Sequence, residues 1–279
     1  MTIAVVTDST AGLPAQFASR IRVVPLAVVI DGVARAEGVD VSCAEVAAAL
    51  RNRKLNVTTS RPAPAEFAQT YRALLDGGAS GVVSVHLSAA LSGTYESATL
   101  AAEEFGDLVR VIDSRSTAMG LGFPALAAAA AAAAGGSVDD VAAAAVAAVS
   151  RTETYFVVDT LEHLRRGGRI GAASALLGTA LSVKPILHVV DGAIVSRDRV
   201  RTSSRALDRL VELAVAAAGD EPTVDVAVQH LDTPDRAERV AAGVRDRLGD
   251  RLGVLYTTEV SAVIGAHVGP GVVGVVVHR

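Results

Sequence analysis

The feature that most constrains the fold is an alternation of short apolar runs with helical patterns along the first half of the chain. The runs predict strands at residues 3–7, 22–30, 82–87 and 109–112. Helices are predicted to begin after Pro14 and Pro64 and to cover residues 92–105 and 125–134. This alternation is typical of βαβ units. We therefore expect an α/β fold whose N-terminal domain is Rossmann-like, with a parallel sheet.

The pattern changes near residues 150–152, where a second domain is predicted to begin. A strand at 155–158 precedes a hairpin of strands 185–190 and 193–201, which flank the turn dipeptide Asp191-Gly192. A small-residue helix is predicted at residues 172–181, between that strand and the hairpin. Two helix–strand pairs follow, at residues 203–218 with 224–230 and 234–248 with 252–257, and a last strand is predicted at 272–278. We predict an α/β domain over residues 1–152 and an α+β domain with a mixed sheet over residues 153–279. Residues 31–57 are interpreted as an excursion from the first sheet, with one helix near 44–52.

Composition excludes several classes of protein. With 51% hydrophobic residues and a net charge of −4, the chain can bury a large core and has no basic excess for a nucleic-acid backbone. The single cysteine, Cys43, rules out an intramolecular disulfide, and no signal peptide is readable at the start, so a cytoplasmic protein is expected. The charge-free stretch 116–138 is mostly alanine, broken by glycines and Pro124, and predicts a packed helix rather than stable membrane insertion.

Hydroxyl side chains cluster after the predicted strands of the first domain. They lie within residues 7–10, 58–60, 88–94 and 113–117. Ser, Thr and Asp are also the preferred residues at helix N-caps, so a single one needs no function. Ligands of open parallel sheets bind beyond the carboxyl ends of the strands. The four groups together therefore favour a site for an oxygen-rich or anionic head group.

The usual nucleotide and catalytic motifs do not occur. The sequence has neither a dinucleotide fingerprint, nor a phosphate-binding loop, nor a Gly-x-Ser-x-Gly elbow, and its six histidines have no metal-ligand spacing. No cofactor and no metal are expected. Two further segments allow two interpretations each. Residues 265–271 predict a glycine-rich turn with His267 at its centre, either structural or facing the same crevice. The arginines within residues 165–169 could interact with the carbonyl groups at the C-terminus of a helix. Alternatively, Arg169 and the more distant Arg201 supply positive charge near an acid or at a partner surface.

Seven segments occur in the order seen in DegV-family proteins, and the chain resembles that family from end to end. They are Val6-Thr7-Asp8-Ser9-Thr10-Ala11-Gly12-Leu13-Pro14, Thr58-Thr59-Ser60-Arg61-Pro62, Leu91-Ser92-Gly93-Thr94-Tyr95, Val111-Ile112-Asp113-Ser114, Leu164-Arg165-Arg166-Gly167-Gly168-Arg169-Ile170, Val183-Lys184-Pro185-Ile186-Leu187 and His267-Val268-Gly269-Pro270-Gly271. One departure is Arg61, where the family often has Gln.

The resemblance implies a protein that holds a long-chain fatty acid between two domains. It would present the carboxyl group to a separate ATP-dependent kinase, which makes an acyl phosphate. By the same resemblance Thr59 and Ser92 would bind the carboxylate, with support from His267. Secondary candidates for the ligand site are Ser60, Arg61, Gly93, Thr94, Ser114 and Arg169, and candidates for docking the kinase are Arg169 and Arg201.

Two other functions stay open on the sequence alone. One is an enzyme acting on a small acyl or phosphorylated substrate, with Ser92 as the nucleophile and His267 as the candidate base. The other is a regulatory or scaffold protein whose lipid is incidental. For the fatty-acid protein, the small side chains of the alanine-rich helices predict that the tail lies among them, in the first domain.

Overall fold

The computed structural model describes residues 2–17, 19–52, 54–176 and 183–279. The described residues form thirteen strands: β1 Ile3–Asp8, β2 Arg22–Val24, β3 Ala27–Ile30, β4 Val33–Ala36, β5 Val57–Ser60, β6 Gly81–His86, β7 Val109–Asp113, β8 Thr152–Val157, β9 Lys184–Val190, β10 Ala193–Val200, β11 Val224–His230, β12 Leu252–Glu259 and β13 Val273–His278. They also form nine α-helices: α1 Cys43–Arg51, α2 Pro64–Asp76, α3 Thr94–Ala102, α4 Met119–Ala133, α5 Val138–Ser150, α6 Glu162–Arg166, α7 Ser203–Ala218, α8 Pro234–Leu248 and α9 Ala262–Val268.

A four-stranded parallel sheet forms the centre of the first domain. Its order is β2-β1-β6-β7. On one face, α4 and α5 pack through residues such as Leu121 and Val141, and on the other face α2 and α3 pack through residues such as Phe67 and Ala98. Both faces are covered, as parallel sheets require. The predicted Rossmann-like α/β class is confirmed.

A six-stranded mixed sheet forms the second domain, in the order β10-β9-β8-β13-β11-β12. Only β11 and β12 are parallel neighbours, and the predicted hairpin joins β9 to β10 through Asp191-Gly192. Helices α7 and α8 cover one face through a large apolar cluster. Part of the other face meets the first domain, where Met119 and Phe123 of α4 pack against Ala227 and Val276. The predicted α+β domain with a mixed sheet is confirmed.

The predicted single strand over residues 22–30 is wrong. Pro25 and Leu26 separate β2, which pairs with β1, from β3, which belongs to a different sheet. That three-stranded antiparallel sheet, β4-β3-β5, contributes β4 and the first residue of β5 to the segment interpreted as an excursion, and α1 lies between those two strands. The hydroxyls at 58–60 therefore lie along β5 and not at an edge of the parallel sheet.

The predicted glycine-rich turn around His267 is also wrong, because most of it is helical. Helix α9 begins after Ser261, whose side chain accepts from the Ile264 N–H, and it ends before Gly269, where φ is +79°. Gly265 is needed for close packing: a Cβ there would lie 2.9 Å from Cδ2 of Leu231. His267 is consequently held in the last turn of a helix.

Three other elements bear on the predictions. The predicted helix after Pro14 is one 3₁₀ turn, Ala15–Phe17, and the predicted helix 172–181 is a 3₁₀ segment, Gly171–Leu176, with residues 177–181 outside the described chain. The proposed division between residues 152 and 153 falls inside β8, one residue after its start. None of the helices in the described ranges has the length and apolar character needed to cross a membrane.

Candidate ligand-binding site

Two adjoining cavities lie between the domains and share three residues, Thr59, Arg169 and His267. The first, which we name the apolar cavity, has a volume of about 400 Å³ and is lined by Thr10, Leu26, Thr59, Ser60, Arg61, Leu87, Leu91, Ser92, Gly93, Thr117, Leu164, Arg169, Ile194, Val263, Ile264, His267 and Val268. The second, the polar cavity, has a volume of about 710 Å³ and is lined by Leu50, Asn52, Leu55, Asn56, Val57, Thr58, Thr59, Thr160, Glu162, His163, Arg166, Gly167, Arg169, Ala266 and His267. Both volumes are typical of small-molecule sites.

Thr59 and His267 form a hydrogen-bonded pair where the two cavities meet. Thr59 lies on β5, and His267 on α9, which packs against the same small sheet. Thr59 Oγ1 is 2.8 Å from His267 Nε2, whereas the buried His267 Nδ1 has no hydrogen-bond partner among the described residues. Two residues separated by more than two hundred positions in the sequence thus meet at one point.

The bonding pattern assigns the proton on His267. Burial, with the nearby charge of Arg169, lowers the pKa of His267 to about 4, so the ring is neutral at neutral pH. A buried N–H without a partner costs more than a bare acceptor, so the hydrogen belongs on Nε2, which then donates to Thr59 Oγ1. The Thr59 hydroxyl keeps its own hydrogen free for another acceptor. The pair therefore offers a directed O–H donor to a ligand.

Arg169 supplies a fixed positive charge to both cavities. It is half-buried, its Nε donates to Leu91 O at 2.9 Å and its Nη1 donates to Gly167 O at 2.5 Å. Within the described chain it forms no ion pair with an acidic residue. These two backbone contacts join the loop before α3 to the end of α6. An anion beside Thr59 would meet an Arg whose charge is not yet neutralised. Arg169, a candidate for docking the kinase, is half-buried and bonded to two backbone carbonyls, so it is not a freely exposed charge.

Ser92 lies in the loop that leads into α3. Its Oγ is 2.9 Å from Thr94 Oγ1, and it also accepts from the Thr94 N–H at 3.3 Å. Arg61 lies across this loop, donating to Gly93 O at 3.2 Å and to Glu96 Oε2 at 3.3 Å. A Cβ on Gly93 would overlap the Arg61 guanidinium, so the absence of a side chain lets Arg61 lie there. Arg61 thus closes one side of the apolar cavity.

The structure brings most of the sequence-predicted residues together, but not all. Thr59, Ser60, Arg61, Ser92, Gly93, Arg169 and His267 line the apolar cavity. Thr94 is buried beside Ser92 and is not part of that wall. Ser114 is buried and donates to Ser116 O, so it caps its own loop. Arg201 is exposed on the loop before α7 and lines neither cavity.

The alanine-rich helix α4 contributes no lining residue to either cavity. Its buried side chains pack instead on β1, β6 and α5 of the first domain and, through Met119 and Phe123, on the sheet of the second. Alanine and glycine here allow close helix–sheet packing, and neither cavity is lined by the alanine-rich helix among whose side chains the sequence predicted the tail. The apolar lining comes from leucine, isoleucine and valine on scattered elements of both domains, which no local pattern in the sequence marks as a group.

A buried polar network beside the site was also missed. Both oxygens of Asp8 accept hydrogen bonds: Oδ1 from Thr10, and Oδ2 from His86 Nδ1 and the Leu87 N–H, each at 3.0 Å. The network continues from His86 Nε2 to Ser84 Oγ at 2.7 Å and to the Tyr71 hydroxyl at 2.9 Å. All of these side chains are fully buried. The sequence signals were Asp8 and Thr10 in the hydroxyl-rich group at residues 7–10, and two polar residues, Ser84 and His86, with strand spacing inside an apolar run.

The fold and the cavities define a two-domain α/β protein with adjoining polar and apolar cavities between its domains. The family model described as "Uncharacterised protein, DegV family" matches residues 2–279, and the chain belongs to the DegV family. A relative from Streptomyces coelicolor, "DegV domain-containing protein SCO2569", is 53% identical over 277 residues, which cover 99% of this chain and 98% of the relative.

Solved structures of the family have the same fold. A DegV family protein from Thermus thermophilus, described in terms of its fatty acid binding, matches with a TM-score of 0.92 and 34% identity, covering 100% of both chains. DegV from Bacillus subtilis, described as a fatty acid binding protein, matches with a TM-score of 0.89 and 32% identity, covering 100% of this chain and 99% of that one.

Proposed function

We propose that the protein binds a long-chain fatty acid in the apolar cavity, with its carboxylate at Thr59, Ser92 and His267. The observation that carries the proposal is the Thr59–His267 pair at the junction of the two cavities, beside Arg169. A buried carboxylate is costly unless hydrogen-bond donors and charge compensate it. The relatives described as fatty acid binding proteins support the same ligand class.

The apolar cavity suits the tail. Its wall includes eight leucine, isoleucine and valine side chains contributed by both domains. Burying the tail of a 16-carbon acid gives about 12 kcal/mol of gross transfer free energy, at roughly 0.8 kcal/mol for each buried methylene group, before ordering costs. The apolar surface would drive binding, and the polar groups would fix which end of the acid faces the polar cavity.

The contacts favour binding over nucleophilic catalysis by Ser92. A serine nucleophile needs a base within hydrogen-bond reach. His267 Nε2 is occupied by Thr59, and the partner of Ser92 is Thr94. His267 Nδ1, the position at which a carboxylate would orient a catalytic base, has no partner among the described residues. We propose a non-catalytic binding subunit.

The finer proposal is that the carboxyl group is presented to a separate ATP-dependent kinase. The polar cavity opens beside Thr59, so a partner there would meet the carboxylate and not the tail. Arg165 and Arg166 share Glu162 as their ionic partner. Arg201, which has no acidic partner within the described residues, is the better candidate for an acidic surface on the kinase.

Two measurements test this function. Extraction of the purified protein, followed by mass spectrometry, should yield a long-chain acid, and delipidated protein should bind added palmitate or oleate. No acid in the extract together with no binding of either one would refute the proposal.

With an ATP-dependent fatty acid kinase added, Arg201→Glu should lower acyl-phosphate formation more than it lowers acid binding, because charges at the rim of an interface act mainly on the rate of encounter. Arg247→Glu, at an exposed arginine of α8, is the matched control. Turnover of ATP by the isolated chain would contradict the non-catalytic assignment.

A further inference from the structure

Strand β5 forms one edge of the small three-stranded sheet, and its unpaired side borders the polar cavity. The strand order is β4-β3-β5, so within the described chain β5 pairs with β3 alone. Three consecutive residues of β5, Val57, Thr58 and Thr59, line the polar cavity. Because side chains alternate between the two faces of a strand, a cavity that meets three in a row lies along the edge of β5.

The pairing with β3 decides which backbone groups of β5 are free. The Asp31 N–H donates to Asn56 O at 2.9 Å, which extends the β3–β5 ladder by one pair and sets its phase. In an antiparallel pair, residues bonded to the neighbouring strand alternate with residues that point away from it. Thr58 therefore bonds to β3, whereas Val57 and Thr59 direct two N–H and two C=O groups towards the cavity.

These four backbone groups have no hydrogen-bond partner among the residues that the structure describes. The opposite edge of the sheet is covered in part by the chain itself: the Ala36 N–H donates to Asp40 Oδ2 at 3.0 Å, and Glu37 forms a bridge with Val41. Folded proteins usually cover or blunt a strand edge, because it can pair with another chain. The β5 edge instead borders a cavity of about 710 Å³, which gives an extended segment room to pair.

The charge beside the polar cavity favours an acidic segment. Arg165 and Arg166 share Glu162 as their ionic partner, and Arg169 forms no ion pair in the described ranges. A fatty-acid carboxylate would neutralise Arg169 and still leave two arginines for one glutamate. The same positive excess disfavours a second copy of this chain at β5, since pairing two copies there would bring like charges together.

We propose that the β5 edge binds an extended, acidic segment of the kinase by strand addition. This rests on the proposed function and specifies how its partner docks. Neighbouring strands lie about 4.8 Å apart, so the added segment would run within one strand spacing of Thr59, beside the carboxylate of the acid. Main-chain bonds to Val57 and Thr59 supply affinity, and the arginines select acidic side chains. The kinase is thereby positioned at the end of the acid that it modifies.

Hydrogen exchange of the palmitate-loaded protein, followed residue by residue with and without an ATP-dependent fatty acid kinase, tests this contact directly. The amides of Val57 and Thr59 should exchange at least about tenfold more slowly in the complex. The amide of Ala34, which points away from the sheet at the opposite edge, should be unchanged. Protection by palmitate alone would assign the edge to the acid, and protection that rises with the concentration of this protein alone would assign it to a second copy. Either result overturns the proposal.

Val57→Pro removes one of the free donors and leaves the bonds between β5 and β3 in place. The protein concentration that gives half-maximal acyl-phosphate formation should rise about tenfold, while the dissociation constant of palmitate changes by less than about twofold. Ala34→Pro, which removes a free N–H at the opposite edge, is the matched control and should leave both quantities unchanged. Should Val57→Pro unfold, the exchange of the wild-type amides decides the question.

The outcomes separate this docking mode from the proposed function. If acyl phosphate forms while both amides exchange at the same rate with and without the kinase, strand addition is refuted and the kinase function stands. Turnover of folded Val57→Pro at the wild-type half-saturating concentration refutes it equally. If the wild type binds palmitate but supports no acyl-phosphate formation, the kinase function fails together with this docking mode, and fatty-acid binding stands.

Discussion

Replacing Thr59 by valine removes the donor that His267 orients, while keeping the shape of the side chain. A hydrogen bond to a charged acceptor contributes about 1.5–3 kcal/mol, so the dissociation constant of palmitate should rise by roughly 10- to 150-fold. His267→Leu should also weaken binding, since Thr59 Oγ1 loses the N–H that holds it at 2.8 Å. Because His267 acts through Thr59, the two losses should not add.

The assay is a double-mutant cycle on delipidated protein, with palmitate binding measured by calorimetry and unfolding followed by circular dichroism. The Thr59→Val/His267→Leu variant should bind almost as Thr59→Val does. Thr58→Val is the matched control, because Thr58 is the preceding residue of β5, faces the other side and lines only the polar cavity. Thr58→Val should change the dissociation constant of palmitate by less than about twofold. If the binding free energies lost by the two single variants sum to the loss in the double variant within about 0.5 kcal/mol, the proposed orientation of Thr59 by His267 is refuted.

Two further predictions follow from the surroundings of His267. Gly167→Ala should weaken acid binding about tenfold with a smaller loss of stability, because the added Cβ would lie 2.3 Å from His267 Nδ1 and must displace the ring. Unchanged affinity would contradict that contact. Gly168→Ala is the control for backbone strain alone, because a Cβ there meets open space although φ is +70°. Burial lowers the pKa of His267 from 6.5 to about 4, so the unfolded chain binds the proton first as pH falls. Ligand-free protein should lose about 3 kcal/mol of stability between pH 6.5 and 4 from this residue, and denaturant unfolding of His267→Gln should lack that part of the pH dependence.

The sequence was sufficient to predict the two-domain architecture because its signals are local. Strands, helices and the Asp191-Gly192 hairpin are specified within short windows, and α7, β11 and α8 begin and end at the predicted residues. The three-stranded sheet was missed because β3 pairs with β5, whose residues lie about thirty positions away along the chain. The apolar run that contains both β2 and β3 is interrupted by Pro25, which argues against one continuous strand, but the run does not show that its two halves enter different sheets.

In the candidate site, too, the residues marked by local motifs were predicted and those without a local signal were missed. Thr59, Ser92 and His267 were predicted from motifs, and the structure brings all three to one cavity. The helical position of His267 was not predictable, since Gly265 is present for its contact with Leu231 rather than for a turn. The apolar wall was missed for a related reason: its leucines and valines differ from other core residues only in facing a space that another domain encloses.

The Asp8 network explains how one wall of the cavity is held. The carboxylate of Asp8, at the end of β1, receives both Thr10 donors, while His86 and Leu87 at the end of β6 bond its other oxygen. One buried side chain thereby joins the two loops that supply Thr10, Leu87 and, a few residues on, Ser92 to the cavity. In a low-dielectric core such a network is stable only when every member is paired, so it resists small displacements. The loop that carries Ser92 is therefore positioned by polar contacts to the end of β1, whereas α9 of the second domain brings His267 to the same cavity.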